Sequence, residues 1–478
     1  MRYLLIILLA FFIVSCEDFE ELNKNVKSPT EVPGATLFSN AQKNLADQMA
    51  TINVNRNNFN LWSQYITETT YTDEANFDIF NRQVPDNSWA TLYRDVLNDL
   101  QEAKKIIATE EPVTDEEKAV KANKIAIIDI LKVYTYNRML GLWGDIPYTD
   151  ALNVNNILPT YDDALTVYHA IQDSLDNDIS ALNTSAGSFG SADVIYNGDA
   201  ELWKKFANSL KVKIAITLAD VDGDRSKSAI EAAVSGGVFE SNSDNALFSY
   251  LKASPNTNPL WVSLVASGRS DYVATSTIGD VLNDLNDPRI PYYYKDLDAN
   301  GHVIGGTYGA SNAYPNFSHL SELLEDPEFP CTFMDYSEVE FYLAEAAERG
   351  VNVGGDAEEH YNKAIAASIT YWGGTASDVA SYLAQSDVAY SSAAGDWKQK
   401  IGIQAWIGLF NRGFEAWTSY RRLDYPQLPM PVNSVIDSYA VRYTYPINEQ
   451  TLNGANYQDA AQKVGGDKLT TKLFWDVH

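Results

Sequence analysis

Cysteine is almost missing from this 478-residue chain, which has only Cys16 and Cys331. That excludes a disulfide framework and any zinc site built on cysteines. Basic residues are also scarce: 35 Lys and Arg stand against 64 Asp and Glu, a formal charge of -29. Such a chain repels phosphate backbones and anionic headgroups, so nucleic acid is excluded as a partner. The one long apolar run, Leu4 to Val14, is 11 residues, too short for a bilayer that needs roughly 20. Nucleophile-elbow, zinc-protease, phosphate-loop and dinucleotide motifs are all absent, and the five histidines, 169, 302, 319, 360 and 478, have no metal-ligand spacing. With 64 acids, pairs of carboxylates at glycosidase distance arise by chance and diagnose nothing.

What is present begins with export. Arg2, the apolar run and Ser15-Cys16 form the n-region, h-region and cleavage site of a signal peptide. Ile13-Val14-Ser15-Cys16 resembles a bacterial lipobox, which assigns residues 1–15 to the leader and makes Cys16 the lipidated N-terminus. Loss of Arg2 leaves 34 basic against 64 acidic residues, a net of -30. Glu17 to Glu21 is an acidic stretch like the one that sends lipoproteins to the outer face of the outer membrane in Bacteroidetes-type bacteria, although a solvated tether reads the same way. Residues 16–35, with Pro29, Pro33 and Gly34, are expected to be that tether.

From residue 36 the chain reads as one body. Hydrophobic residues make up 45%, enough for a large core, and no low-complexity linker divides it. Apolar spacing of three and four predicts a helix over 89–107, a nearly all-apolar one over 115–140, one opened by a Thr160/Asp163 capping box, and others at 199–219, 336–349, 357–372 and 398–420. Ala357, Tyr361 and Ala364 have the spacing of the second helix of a tetratricopeptide repeat, without a regular 34-residue period along the chain. Between 241 and 335 prolines and glycines predict loops, short strands and brief helices.

Seven segments then carry a resemblance to the SusD/RagB family of outer-membrane nutrient-binding lipoproteins, in its divergent second SusD-like subgroup. They are Leu22-Asn23 with Ser28 to Pro33; Leu142 to Tyr148; Gly268 to Tyr272; Leu285 to Arg289; Glu340 to Arg349; Phe414 to Trp417 with Tyr420 to Arg422; and Arg442-Tyr443 with Tyr445-Pro446. The resemblance implies a mostly α fold, a single SusD-like helical domain over 36–478 with tetratricopeptide-like helix pairs and a loop-rich segment with short strands. It implies binding rather than catalysis, no cofactor, and a SusC-like TonB-dependent transporter as the partner that receives a glycan or peptide.

The family's binding positions vary, so the candidate site rests on chemistry. Sugar C–H faces pack on Tyr or Trp rings, and hydroxyls need amide, carboxylate or guanidinium groups nearby. Candidate ligand residues are therefore Arg269, Tyr272 and at least one of Tyr292, Tyr293 and Tyr294, faced by Trp62 or Tyr71. Tyr292 to Tyr294 are expected to be a strand, and a helical Trp62 equally suits a core. Asp296, Asp298 and Asn300-Gly301 imitate the start of a calcium loop or, alternatively, a hairpin turn, and Thr307 replaces the closing acid. An all-helical extracellular glycoside hydrolase and a protein-binding scaffold are the competing functions that this composition permits.

Overall fold

The computed structural model describes residues 32–478; Cys16 and the acidic stretch behind it lie outside the described residues. Helix Gly34–Ala50 starts at once, so Gly34 and Ala35 belong to the body rather than to a tether. The central element is Asp115–Trp143, 29 residues long. Thr114 Oγ1 accepts from the Glu117 N–H at 3.1 Å, and the Glu117 carboxylate accepts from the Thr114 N–H at 2.9 Å, a capping box that satisfies orphan donors of the first turn. Nearly every residue from Ala126 onward is buried, because helices Asn98–Ala108, Ala164–Ala181 and Ala200–Thr217 pack around it.

Helices Tyr336–Glu348 and Ala357–Trp372 form the tetratricopeptide-like pair. Ala357, Tyr361 and Ala364 are all buried, and the Ser337 hydroxyl reaches the Ala364 carbonyl at 2.8 Å, an approach that the small alanine leaves open. The strands are three two-stranded antiparallel ribbons, β1 (Ile66–Glu68) with β3 (Tyr272–Ala274), β2 (Ala246–Phe248) with β6 (Cys331–Met334), and β4 (Tyr294–Lys295) with β5 (His319–Leu320). All but β1 fall in the loop-rich segment, and β1 joins it through β3.

Periodicity misled at four places. The 89–107 stripe is helical throughout but includes a π-helical turn, Thr91–Leu97. Asp163 alone caps Ala164–Ala181, accepting from the Thr166 N–H at 2.9 Å, and Thr160 takes no part. The 398–420 stripe is two helices, Trp397–Gly408 and Gly413–Leu423, with Asn411 left-handed between them. Gly413 abuts the chain at Phe59 so closely that a Cβ would stand 2.3 Å from its carbonyl carbon. Phe410 and Phe414 are both buried, which is why the apolar pattern runs through the break. Finally, Tyr292 and Tyr293 end a short helix, Ile290–Tyr293, and only Tyr294 enters a strand.

Four helices and the loops ahead of two of them meet at a buried ionic cluster. Lys213 lies 2.8 Å from Glu338 and 3.5 Å from Glu415, which is also 3.5 Å from Arg138. Arg412 pairs with Glu338 and, at 3.0 Å, with Asp335. The Tyr342 hydroxyl donates to Glu338 at 2.6 Å. Burial pushes the Glu338 carboxyl up, yet Arg412 and Lys213 outweigh it and hold it down at about 2. Removing one member leaves its partners charged and dry. Lys213→Met should therefore lower the unfolding free energy by about 3–5 kcal/mol in urea titration, whereas Lys363→Ala, which breaks an exposed helix pair with Glu359, should leave the urea midpoint at the wild-type value. Equal midpoints for Lys213→Met and wild type would remove the cluster from any structural role.

Candidate functional site

The β1–β3 ribbon ends with Glu68 opposite Tyr272. Beyond it the two chains stay tied, with the Thr69 N–H donating to Asp271 O at 2.9 Å and the Thr69 hydroxyl to Ser270 O at 2.7 Å. They then diverge around a cleft of about 540 Å³. Asn53 and Asn55 form one lip, and the short helical segment carrying Ser263 and Ser267 forms another; Arg82 closes the end. Tyr71 stands on the rim, 70% exposed, with a left-handed backbone (φ 55°). Arg269 is exposed beside it and pairs with Asp271 at 2.5 Å. Tyr272 forms the wall, and its hydroxyl is anchored on the Ile52 carbonyl at 2.8 Å.

Glu68 lines the cleft, and Glu74 lies behind it. Glu68 is buried and accepts from the Ala75 N–H at 3.1 Å, with the Glu74 carboxyl beside it. Burial first, then the neighbouring Glu74, pushes the Glu68 carboxyl up to about 9, so it is protonated at neutral pH. Glu74 in turn carries an ion pair with Arg82. Arg82 is paired with Glu74 and, at 3.9 Å, with Asp73, and Arg269 with Asp271, so neither guanidinium of the cleft stands as a free positive charge for an anionic ligand. A flat exposed ring, a planar Arg–Asp pair offering donors and acceptors together, and Ser and Asn groups on the lips suit an uncharged polyhydroxyl ligand.

Of the candidates from the sequence, Tyr71, Arg269 and Tyr272 meet in this cleft, together with Glu68 and Asp271. Trp62, Tyr293 and Tyr294 do not. Trp62 is fully buried, packs on Phe59, Phe77 and Trp417, and donates its indole N–H to Glu74 O at 3.1 Å. Tyr293 stacks on Phe410 at 3.9 Å and bonds Ile407 O, while Tyr294 donates to Tyr65 O at 2.6 Å. Tyr292 is half-buried away from the cleft, with its hydroxyl on Gly373 O at 2.8 Å. None of these four rings lines the cleft, and Trp62, Tyr293 and Tyr294 are spent on core packing. Asn53, Asn55, Arg82, Ser263 and Ser267 escaped the sequence reading; the asparagine-rich 53–58 run is the one signal that pointed to a polar lip.

The calcium-like stretch is a turn. Asp298 Oδ1 accepts the N–H groups of Asn300 and His302, each at 2.8 Å, and Asp296 bonds His319 Nδ1 at 2.7 Å. Among the described residues no group of three or more His, Cys, Asp and Glu side chains is placed to hold a metal.

Glu68 makes stability depend on pH with a definite sign. Below its ordinary value of 4.5 the folded and unfolded chains both hold the proton. Between there and about 9 only the folded chain does, so this contribution declines as pH rises and is constant above that. Glu68→Gln keeps the neutral shape without the proton. Its melting temperature relative to wild type should climb steadily from about pH 5 to about pH 9; a flat difference across that range would show Glu68 ionised in the folded protein.

The chain compares with known proteins as follows. Residues 24–446 match the SusD-like family model described as starch-binding and associating with the outer membrane. A SusD homolog from Bacteroides uniformis superposes with a TM-score of 0.78 at 28% identity, over 92% of this chain and 99% of that one. A chitin-binding SusD homolog from Flavobacterium johnsoniae gives 0.78 at 25% identity, over 93% and 98%. A further chitin-binding protein gives 0.79 at 26% identity, over 93% and 100%. No curated protein matches the chain in sequence. No helix among the described residues is long and apolar enough to cross a membrane. The match over 24–446, the helical body and the short ribbons together place the chain in the SusD-like family of outer-membrane-associated binding proteins.

Proposed function

We propose that this protein is a lipid-anchored nutrient-binding subunit at the cell surface, which captures an uncharged oligosaccharide in the Tyr71–Arg269 cleft and passes it to a SusC-like TonB-dependent transporter. The observation that carries the reading is the exposed Tyr71 ring beside the Arg269–Asp271 pair. A sugar's C–H face packs on the ring while its hydroxyls exchange hydrogen bonds with guanidinium and carboxylate. The family description and the chitin-binding relatives support a glycan over a peptide. The anchor rests on Cys16 in its lipobox, and the partner on the family resemblance. Binding without turnover is the expected chemistry: Glu68 is engaged by Glu74 and Ala75, and Asp271 by Arg269.

Two experiments test this. In calorimetric titrations with chitohexaose and maltohexaose, Tyr71→Ala should weaken binding roughly 5- to 30-fold, about 1–2 kcal/mol, with an unchanged melting temperature because the ring is exposed. The oligosaccharide should be recovered at its original length; shortened products would instead favour a hydrolase. Cys16→Ala should release the protein from washed outer membranes, since no described helix can hold it there. Retention of that variant would overturn the lipid anchor.

A further inference from the structure

A second cleft, about 710 Å³, lies beside the first and is larger. The two share one boundary, residues 80–87, a turn that leads into the helix Val84–Ala90. Arg82 closes the first cleft, whereas Phe80 and Gln83 from the same turn line the second. Phe80 is 48% exposed, a large ring with no core to fill. Across from it stand Ile447 and Gln450 from the helix Ile447–Leu452, and the half-buried Tyr457, whose hydroxyl donates to Asp467 at 3.2 Å.

This segment is pinned from both sides through the first residues of the helix. The Asn87 side chain donates to Asn55 O, on the lip of the first cleft, at 2.8 Å. The Asp86 carboxylate accepts from the N–H groups of Ile447 and Asn448 at 3.2 and 3.3 Å, which ties it to the far wall of the second. The two hollows therefore hold fixed positions relative to each other. The ridge between them carries exposed Gln83, Asn87 and Asn55 with half-buried Arg82, polar groups suited to a chain of hydroxyls crossing over.

On the reading that the first cleft takes an oligosaccharide, we infer that the second is its extension: one glycan chain crosses the Gln83–Asn87 ridge, with its distal units seated between Phe80 and Tyr457. The protein then selects for chain length, favouring oligomers long enough to occupy both hollows. Each hollow supplies its own ring, Tyr71 in one and Phe80 in the other, and the polar ridge gives the intervening unit hydrogen bonds without a platform.

The test uses chito- and malto-oligosaccharides, trimer and hexamer, against wild type, Tyr71→Ala and Phe80→Ala. Wild type should bind the hexamer of the accepted series at least 5-fold more tightly than the trimer. Phe80→Ala should lose at least 5-fold in hexamer affinity and leave the trimer unaffected, while Tyr71→Ala weakens both. Equal hexamer affinity in Phe80→Ala and wild type would overturn the extension yet leave the first cleft standing. Unchanged binding of both lengths by Tyr71→Ala, or no binding from either series, would overturn the parent reading and this inference with it. Melting temperatures of both variants should match wild type, because each ring is exposed; a drop in Phe80→Ala would mark the ring as structural and count against the extension.

Discussion

The architecture turns on a charged cluster that water does not reach. Lys213, Glu338, Glu415, Arg138, Arg412 and Asp335 come from four helices and from the loops ahead of two of them, and each is satisfied only while the others stay in place. A buried ion pair repays its desolvation only when its geometry and accompanying hydrogen bonds are good, so a shift between these helices would leave charges without water and without partners. The long helix Asp115–Trp143, the tetratricopeptide-like pair and the C-terminal helices are thus fixed in one register. A neighbouring chain of ion pairs, Arg422 with Glu345 at 2.8 Å and Arg349 with the same carboxylate at 3.0 Å, extends the constraint toward the surface at Asp220.

This rigid centre bears on the cleft through a short route. Trp62 sits against Trp417 in the core and holds the Glu74 carbonyl. Glu74 faces Glu68 and pairs with Arg82, which closes the end of the binding hollow. The loop from 69 to 83 is consequently supported from below at several points, although its outer side is free. That arrangement suits recognition by a preorganised surface, where little ordering remains to be done when ligand arrives.

The helical body was legible because burial imposes a period. Ile127, Leu131 and Tyr361 face inward at spacings that the sequence displays directly. The errors arose where periodicity continues through a change of backbone, as between Phe410 and Phe414, which are buried on either side of a left-handed Asn411. At the site, Arg269 and Tyr272 could be picked out because Gly268, Ser270 and Asp271 mark irregular chain, whereas the sequence offers Tyr71 only as an alternative to Trp62. Trp62, Tyr293 and Tyr294 carry the same residue types, and only tertiary packing separates a ring that fills the core from one that faces solvent. Arg82, Asn53 and Ser263 are distant in sequence from Tyr272, and no local pattern announces that they converge.

Tyr71 also has an energetic meaning. A non-glycine residue in the left-handed region costs of order 1–3 kcal/mol when the surroundings impose it, and bulky aromatic residues are rare there. Glycine or asparagine at this position would close the same turn with less strain. The fold thus holds Tyr71 on the rim at a conformational cost, and two side-chain torsions are left to adjust the ring to whatever lands on it.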